Sequence, residues 1–270
     1  LIYFSLAEDV LSETVTLEIL DESGQNVRTF STDYEVQDAV EKLEVGEGLN
    51  RFEWDLNYPG PYTVPDLVTM VIRNPAEGPE AVPGNYRVKL SVGTWTDTQT
   101  FELKADPRWD ASKEDLQKTF ELASDIADKI TTFQHAIEGL RSAQKQVQAI
   151  AHDAETGEGA LDEEIKNRAD SLVDAMESLE EDFINNNIKS GQDPIGMERR
   201  LSNRMGRLYQ VVRGHDARPT GGMLERHADL EIVYNRLMNR YRNLEGEELR
   251  AFNELLESKG VPHVRINSEE

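Results

Sequence analysis

Cysteine is absent from all 270 residues, so disulfides, thiolate nucleophiles and thiolate metal sites are excluded at once. A chain of this length buries enough surface to fold without such staples, so the absence does not fix a compartment. Long apolar runs are missing too. No stretch approaches the roughly 20 apolar residues that a membrane-spanning helix needs, and no membrane span is expected. The opening LIYFSLAEDV is too short for a signal peptide and lacks a basic n-region. It has no initiator Met, and its apolar residues alternate as in a strand. The expectation is that the chain is taken from inside a longer protein.

Positive charge is in short supply. Twenty-nine basic residues, 10 of them Lys and 19 Arg, face 52 acidic ones, and the formal charge is -23. Such a field repels nucleic-acid phosphates and anionic lipid, so neither is expected to bind the surface as a whole. The apolar residues are too regularly placed for the acidity to signal disorder. An acid-rich, Lys-poor surface suits a halophilic cell, where high ionic strength screens self-repulsion.

Catalytic spacings are lacking as well. His135, His152, His215, His227 and His263 form no metal-ligand pattern such as H-E-x-x-H, and a lone His on a polar helix is expected to face solvent. There is no G-x-S-x-G elbow, phosphate-binding glycine loop or dinucleotide fingerprint. Carboxylates are so abundant that no pair stands out as the facing acids of a glycosidase. Asp153 to Gly159, with Asp162 and Glu163 behind it, has the oxygen density of a calcium loop. It carries Gly157 and Glu158 where an EF-hand needs a ligand and then Gly, so it reads as an interhelical loop. No cofactor and no metal are expected.

What is present is a change of period. In Thr14–Ile19, Val15, Leu17 and Ile19 share one face, the mark of a half-buried strand. Asp21-Glu22-Ser23-Gly24 supplies a turn, and Val27–Phe30 returns. Asn50–Leu56 alternates with Phe52, Trp54 and Leu56 inward; Tyr86, Val88, Leu90 and Val92 form another inward row, and Thr98–Leu103 runs back. With Ile2–Leu6 and a weaker strand near Val68–Ile72, about seven strands result, spaced as in an antiparallel immunoglobulin-like β-sandwich. Tyr58 to Pro83 carries six prolines and reads as loop with at most an edge strand.

Beyond Asp106-Pro107-Arg108 the period becomes helical. Pro107 and Trp109-Asp110 close the last strand, and Ser112 with Asp115 suggests a capping box variant. Leu116, Thr119, Ala123, Ile126, Ile130, Phe133, Ile137, Leu140, Gln144, Val147 and Ala151 then recur at steps of three and four. That seam spans about 35 residues, roughly 50 Å of helix. A second seam runs from Ile165 to Phe183, a third helix carries Leu201 to Val212, and a fourth runs from Leu230 onward. The predicted class is therefore multi-domain α+β: a sandwich over residues 1–106 and an antiparallel bundle of about four helices over 107–270.

Two side-chain groups remain as binding candidates. Trp95 follows a hairpin turn and is the candidate for stacking on a sugar, whereas Trp54 belongs to the core by its alternation. Ten arginines from Arg199 to Arg242 crowd the third and fourth helices, where they either pair with neighbouring carboxylates or dock an acidic partner.

Several segments taken in order carry a family resemblance: Val15–Asp21 with Gly24 and Val27–Phe30; Gly48–Pro61, read GLNRFEWDLNYPGP; Pro83–Leu90, read PGNYRVKL; and Asp106-Pro107-Arg108 with Asp115-Leu116-Gln117. They resemble the C-terminal region of bacterial sortilin-like, Asp-box (BNR) repeat β-propeller proteins, often labelled glycosyl hydrolase or sialidase-like. The first half is also similar to the Ig-like domain of flagellar hook-capping proteins. The resemblance covers about residues 1–150. It implies an exported, extracytoplasmic protein in which this chain is a non-catalytic structural or interaction module beside an upstream β-propeller or a partner protein. No S-x-D-x-G-x-x-W Asp-box occurs in the chain, so no hydrolase residue carries over. The alternative is a carbohydrate-binding module serving an upstream glycosidase, with a glycan on Trp95; an independent hydrolase is a third class.

Overall fold

The computed structural model describes residues 1–34, 40–65, 77–156, 163–188 and 196–266, and the chain is of mixed α and β structure. It forms two compact units. The first holds residues 1–60, 76–124 and 213–219; the second holds 61–75, 125–212 and 220–270.

Among the described residues the first unit has nine strands: β1 (Ile2–Leu6), β2 (Val15–Leu20), β3 (Asn26–Ser31), β4 (Val40–Lys42), β5 (Gly48–Phe52), β6 (Asn57–Pro59), β7 (Glu77–Glu80), β8 (Gly84–Val92) and β9 (Trp95–Leu103). Five of them make one sheet in the order β4-β3-β2-β8-β9; β1 pairs with β5 and β6 with β7. Among the described residues all pairings are antiparallel except β3 with β4. The sheet centres on β2, where Val15, Leu17 and Ile19 are fully buried. β2 turns into β3 because the Asp21 carboxylate accepts from the backbone N–H of Gln25 (2.9 Å) and from the Ser23 hydroxyl (2.7 Å), while Gly24 takes φ 91°. Phe52 of β5 lies on Phe30 of β3 with ring centroids 4.5 Å apart, which brings the β1–β5 ribbon into the core of the sheet.

The expected strand Asn50–Leu56 ends early. Beyond Phe52 the chain turns, and Leu56 is the one described non-glycine residue in the left-handed region, at φ 65°. Trp54 is buried as its alternation predicted, but a turn positions it rather than a strand. Its indole N–H donates to the Asn57 carbonyl at 3.1 Å, and its ring meets Tyr86 and Phe101 at 5.7 and 6.3 Å. Arg28, only 7% exposed, donates to the same carbonyl at 3.2 Å and pairs with Glu41. The proposed strand near Val68–Ile72 lies outside the described residues.

The helices are α1 (Lys113–Thr156), α2 (Glu163–Phe183), α3 (Leu201–Arg213), α4 (Gly221–Asn243) and α5 (Arg250–Ser258), with a π-helical turn at Leu244–Leu249 joining the last two. Ser112 caps α1: its hydroxyl accepts from the Asp115 N–H at 3.1 Å and donates to the Asp115 carboxylate at 2.7 Å. Residues up to Ser124 belong to the sheet unit and those after it to the second unit.

In the helical unit the α1 seam is buried at Ile126, Ile130, Phe133, Ile137, Leu140 and Val147. Gln144 does not take its expected place in that row. Ala143 is buried there instead, and Gln144 reaches sideways to donate to Glu177 of α2 at 2.7 Å. Phe133 stacks on Phe183 of α2 at 6.0 Å, and the buried Glu180 accepts from Arg141 at 2.8 Å. The α2 stripe packs toward α4 and α5. The tail after α5 is held by two carboxamides. Asn253 exchanges hydrogen bonds with the backbone of Val264 (2.8 and 2.9 Å), and Gln146 does so with Arg265 (2.7 and 3.0 Å).

Candidate binding cleft

A cleft of about 760 Å³ opens in the sheet unit, walled by the 79–83 and 103–109 segments, the first turns of α1 and the segment after α3. That volume lies within the range of small-ligand pockets, about 300–1,000 Å³. Pro79, Pro83 and Pro107 stiffen its rim, and Val82, Leu103, Leu116 and Phe120 give it apolar walls. Left-handed Leu56 also lines it, held there because its carbonyl accepts from the Ala81 N–H at 2.7 Å. A backbone strained in this way persists only where surrounding bonds fix it. Thr119 of α1 donates to the Ala217 carbonyl, tying the segment after α3 to the helix.

Polar groups converge on one side. Arg213 binds Glu77 at 2.6 Å and faces the cleft with His215 and Asp216. Glu80 sits nearby. Loss of hydration, and secondarily the Asp216 charge, push its pKa up, while Arg213 pulls it part of the way back. At the opposite end Arg108 clamps Asp106 through its side chain and its own N–H (2.9 Å), which holds the Asp106 carboxyl down at about 2. The same turn carries Trp109, which lines the cleft and remains 56% exposed. This arrangement can bind: it offers one indole face, apolar walls and charges of both signs at the rim.

Trp95, the sugar-stacking candidate from sequence, opens β9 opposite Val92 and is 55% exposed. It does not line this cleft. In the sequence Trp109 marks only the closure of the last strand. Its signal was present, since an indole between Asp106-Pro107-Arg108 and Asp110 has no apolar alternation to bury it.

Among the described residues no cluster of three or more metal-binding side chains occurs; of the expected loop from Asp153 to Gly159, the first four residues continue α1 to Thr156 and residues 157–159 lie outside the described residues. The histidines depart furthest from the expectation of open solvent at His227. His227 has a side chain only 16% exposed and lies 2.7 Å from Asp125, which also binds Lys129; Lys129 in turn reaches Glu231 at 3.3 Å. His135 stacks on Tyr62 at 4.2 Å. Of the ten crowded arginines, Arg200, Arg213, Arg218 and Arg240 do find carboxylates.

Compared with protein-family models, with curated proteins and with solved structures, the chain has no match.

Proposed function

We propose that this chain is a non-catalytic interaction module of an exported protein, and that the cleft of the sheet unit holds a segment of a partner polypeptide. The observation that carries the reading is the half-exposed Trp109 at the rim of a large apolar cleft stiffened by prolines. A rigid aromatic beside an apolar pocket is the kind of feature that concentrates binding energy at protein interfaces. The resemblance of residues 1–150 to the region following a sortilin-like β-propeller supports both export and a partner of that kind. On this reading the first unit is an Ig-like sandwich. Support comes from Tyr86, whose hydroxyl donates to the Val82 carbonyl at 2.8 Å, four residues back, much as in the tyrosine corner of such domains. The helical unit, by the same reading, is an antiparallel bundle, supported by the Phe133–Phe183 and Arg141–Glu180 contacts between α1 and α2.

The second reading, a carbohydrate-binding module, is favoured by one observation: Trp95 presents an open indole face. Peptide display on the intact chain, run beside a glycan array, separates the two. Selected peptides should share an apolar or aromatic anchor and lose binding in Trp109→Ala. Glycan binding that Trp95→Ala removes would transfer the conclusion to the carbohydrate reading. Turnover in a glycosidase and esterase screen of the isolated chain would overturn the non-catalytic assignment.

A further inference from the structure

A second cleft, of about 380 Å³, lies within the helical unit between α3 and the start of α4. Its lining is unusual for so acidic a chain. Arg199, Arg204, Arg207 and Arg226 all border it, and among the described residues no Asp or Glu does. Helical spacing explains the convergence. Asn203, Arg207 and Val211 fall on one face of α3 at steps of four, with Arg204 and Leu208 beside them, while Gly222 and Arg226 are one turn apart on α4. Among the described residues none of these four arginines is in an ion pair, although the chain holds 52 acidic residues. Four guanidiniums sharing one cavity repel each other, and an anion is the missing complement.

Two further observations point to a ligand. Asn203 is 4% exposed and lines the cleft, yet its amide makes no hydrogen bond among the described residues. Its amide is therefore available to hydrogen-bond a molecule held in the cleft. The α4 end adds backbone donors. Thr220 caps the helix by accepting from the Met223 N–H, which leaves the N–H groups of Gly221 and Gly222 without a partner in the helix. Gly222 faces open space, so a ligand can reach its backbone.

We propose that this cleft binds a small, multiply charged oxyanion of the phosphate or sulfate ester class. Guanidinium forks engage such tetrahedral groups two bonds at a time, and the volume suits one compact polyanion better than an extended chain. The net charge of -23 repels anions at long range, so recognition rests on these short-range donors.

Calorimetric titration of the intact chain with inorganic tripolyphosphate, in about 0.1 M KCl where the Debye length is about 10 Å, tests the site. One saturable site per chain is expected, and the Arg204→Gln/Arg207→Gln double variant should weaken it at least about tenfold, a loss of about 1.4 kcal/mol. Arg236→Gln, outside the cleft, should bind as the parent does. A parallel titration with a disulfated disaccharide tells a sulfate ester from a phosphate by which anion saturates at lower concentration. Without anion the double variant should melt close to the parent, because the local repulsion it relieves is set against a net charge more negative by two. If it fails to fold, Arg204→Lys/Arg207→Lys keeps the charge and should still weaken binding by losing the two-bond geometry. Absence of saturation with both anions, unchanged binding in the double variant, or equal loss in Arg236→Gln would overturn the proposal.

Discussion

Trp54 shows how one side chain closes the sheet unit. Its ring is surrounded by Tyr86 and Phe101 while its N–H satisfies the Asn57 carbonyl. Trp54→Ala should therefore cost about 3–5 kcal/mol in urea unfolding, the usual range for truncating a buried aromatic. A loss below about 1 kcal/mol would show that the ring is not in the core. Glu80 supplies a pH signature. Its raised pKa means the folded state holds the proton more tightly, so stability is fullest below the ordinary value of 4.5 and falls as pH rises through the shifted one. Glu80→Gln should melt higher than the parent at pH 7 and lose that part of the pH slope; an unchanged slope above pH 4.5 would remove Glu80 as its source. Of these residues, only the burial of Trp54 was legible in the sequence, because alternation marks an inward face. Glu80 and Asp216 come together from distant parts of the chain, and nothing in local pattern encodes such a meeting.

At the level of elements, the seams of α1 and α2 were the most legible part, since a step of three or four repeated over many turns leaves one face to bury. The exception at Gln144 is instructive. A polar residue in a seam can be displaced by a small neighbour, here Ala143, if its amide finds a partner on the adjoining helix. The turn after Phe52 was not legible, because the alternation through Trp54 and Leu56 persists in sequence while the backbone leaves the strand. Ile130 tests the helical unit. It is 1% exposed, and an Asp there would bury an unpaired charge. Ile130→Asp should lose helical circular dichroism while the β signal of the sheet unit survives. Full helicity in this variant would mean that the α1 seam is not packed.

Over the whole molecule, charge dominates. With 52 acidic and 29 basic residues, folding concentrates repulsion that the expanded chain relaxes, so screening should favour the folded state. The Debye length falls from about 30 Å at 0.01 M salt to about 3 Å at 1 M. The melting temperature should rise steadily over that range in KCl and NaCl alike. Sulfate is a poor substitute, because it also strengthens apolar burial. A flat or falling curve in both chlorides would mean that local pairing already neutralises the acidic surface, and the case for a halophilic origin would fall with it. Amino-acid counts made this property legible from the start. They could not show that four arginines stand apart from the acids.

The π-helical turn between α4 and α5 bears on how this gene can change in length. Leu230, Leu237 and Leu244 are buried at steps of seven, and Leu249, Phe252 and Leu256 at steps of three and four, yet the step from Leu244 to Leu249 is five. The wide turn absorbs one residue more than an ordinary turn holds. A one-codon deletion there, removing the open Gly246, should relax the turn to a regular α-helix with both stripes still facing inward. The same edit at Asn235, in the middle of α4, would rotate everything after it by about 100° and turn the second stripe away from its partners. The two shortened proteins should differ sharply in melting temperature, with the first close to the parent. Equal damage from both would mean that the extra residue is needed where it stands.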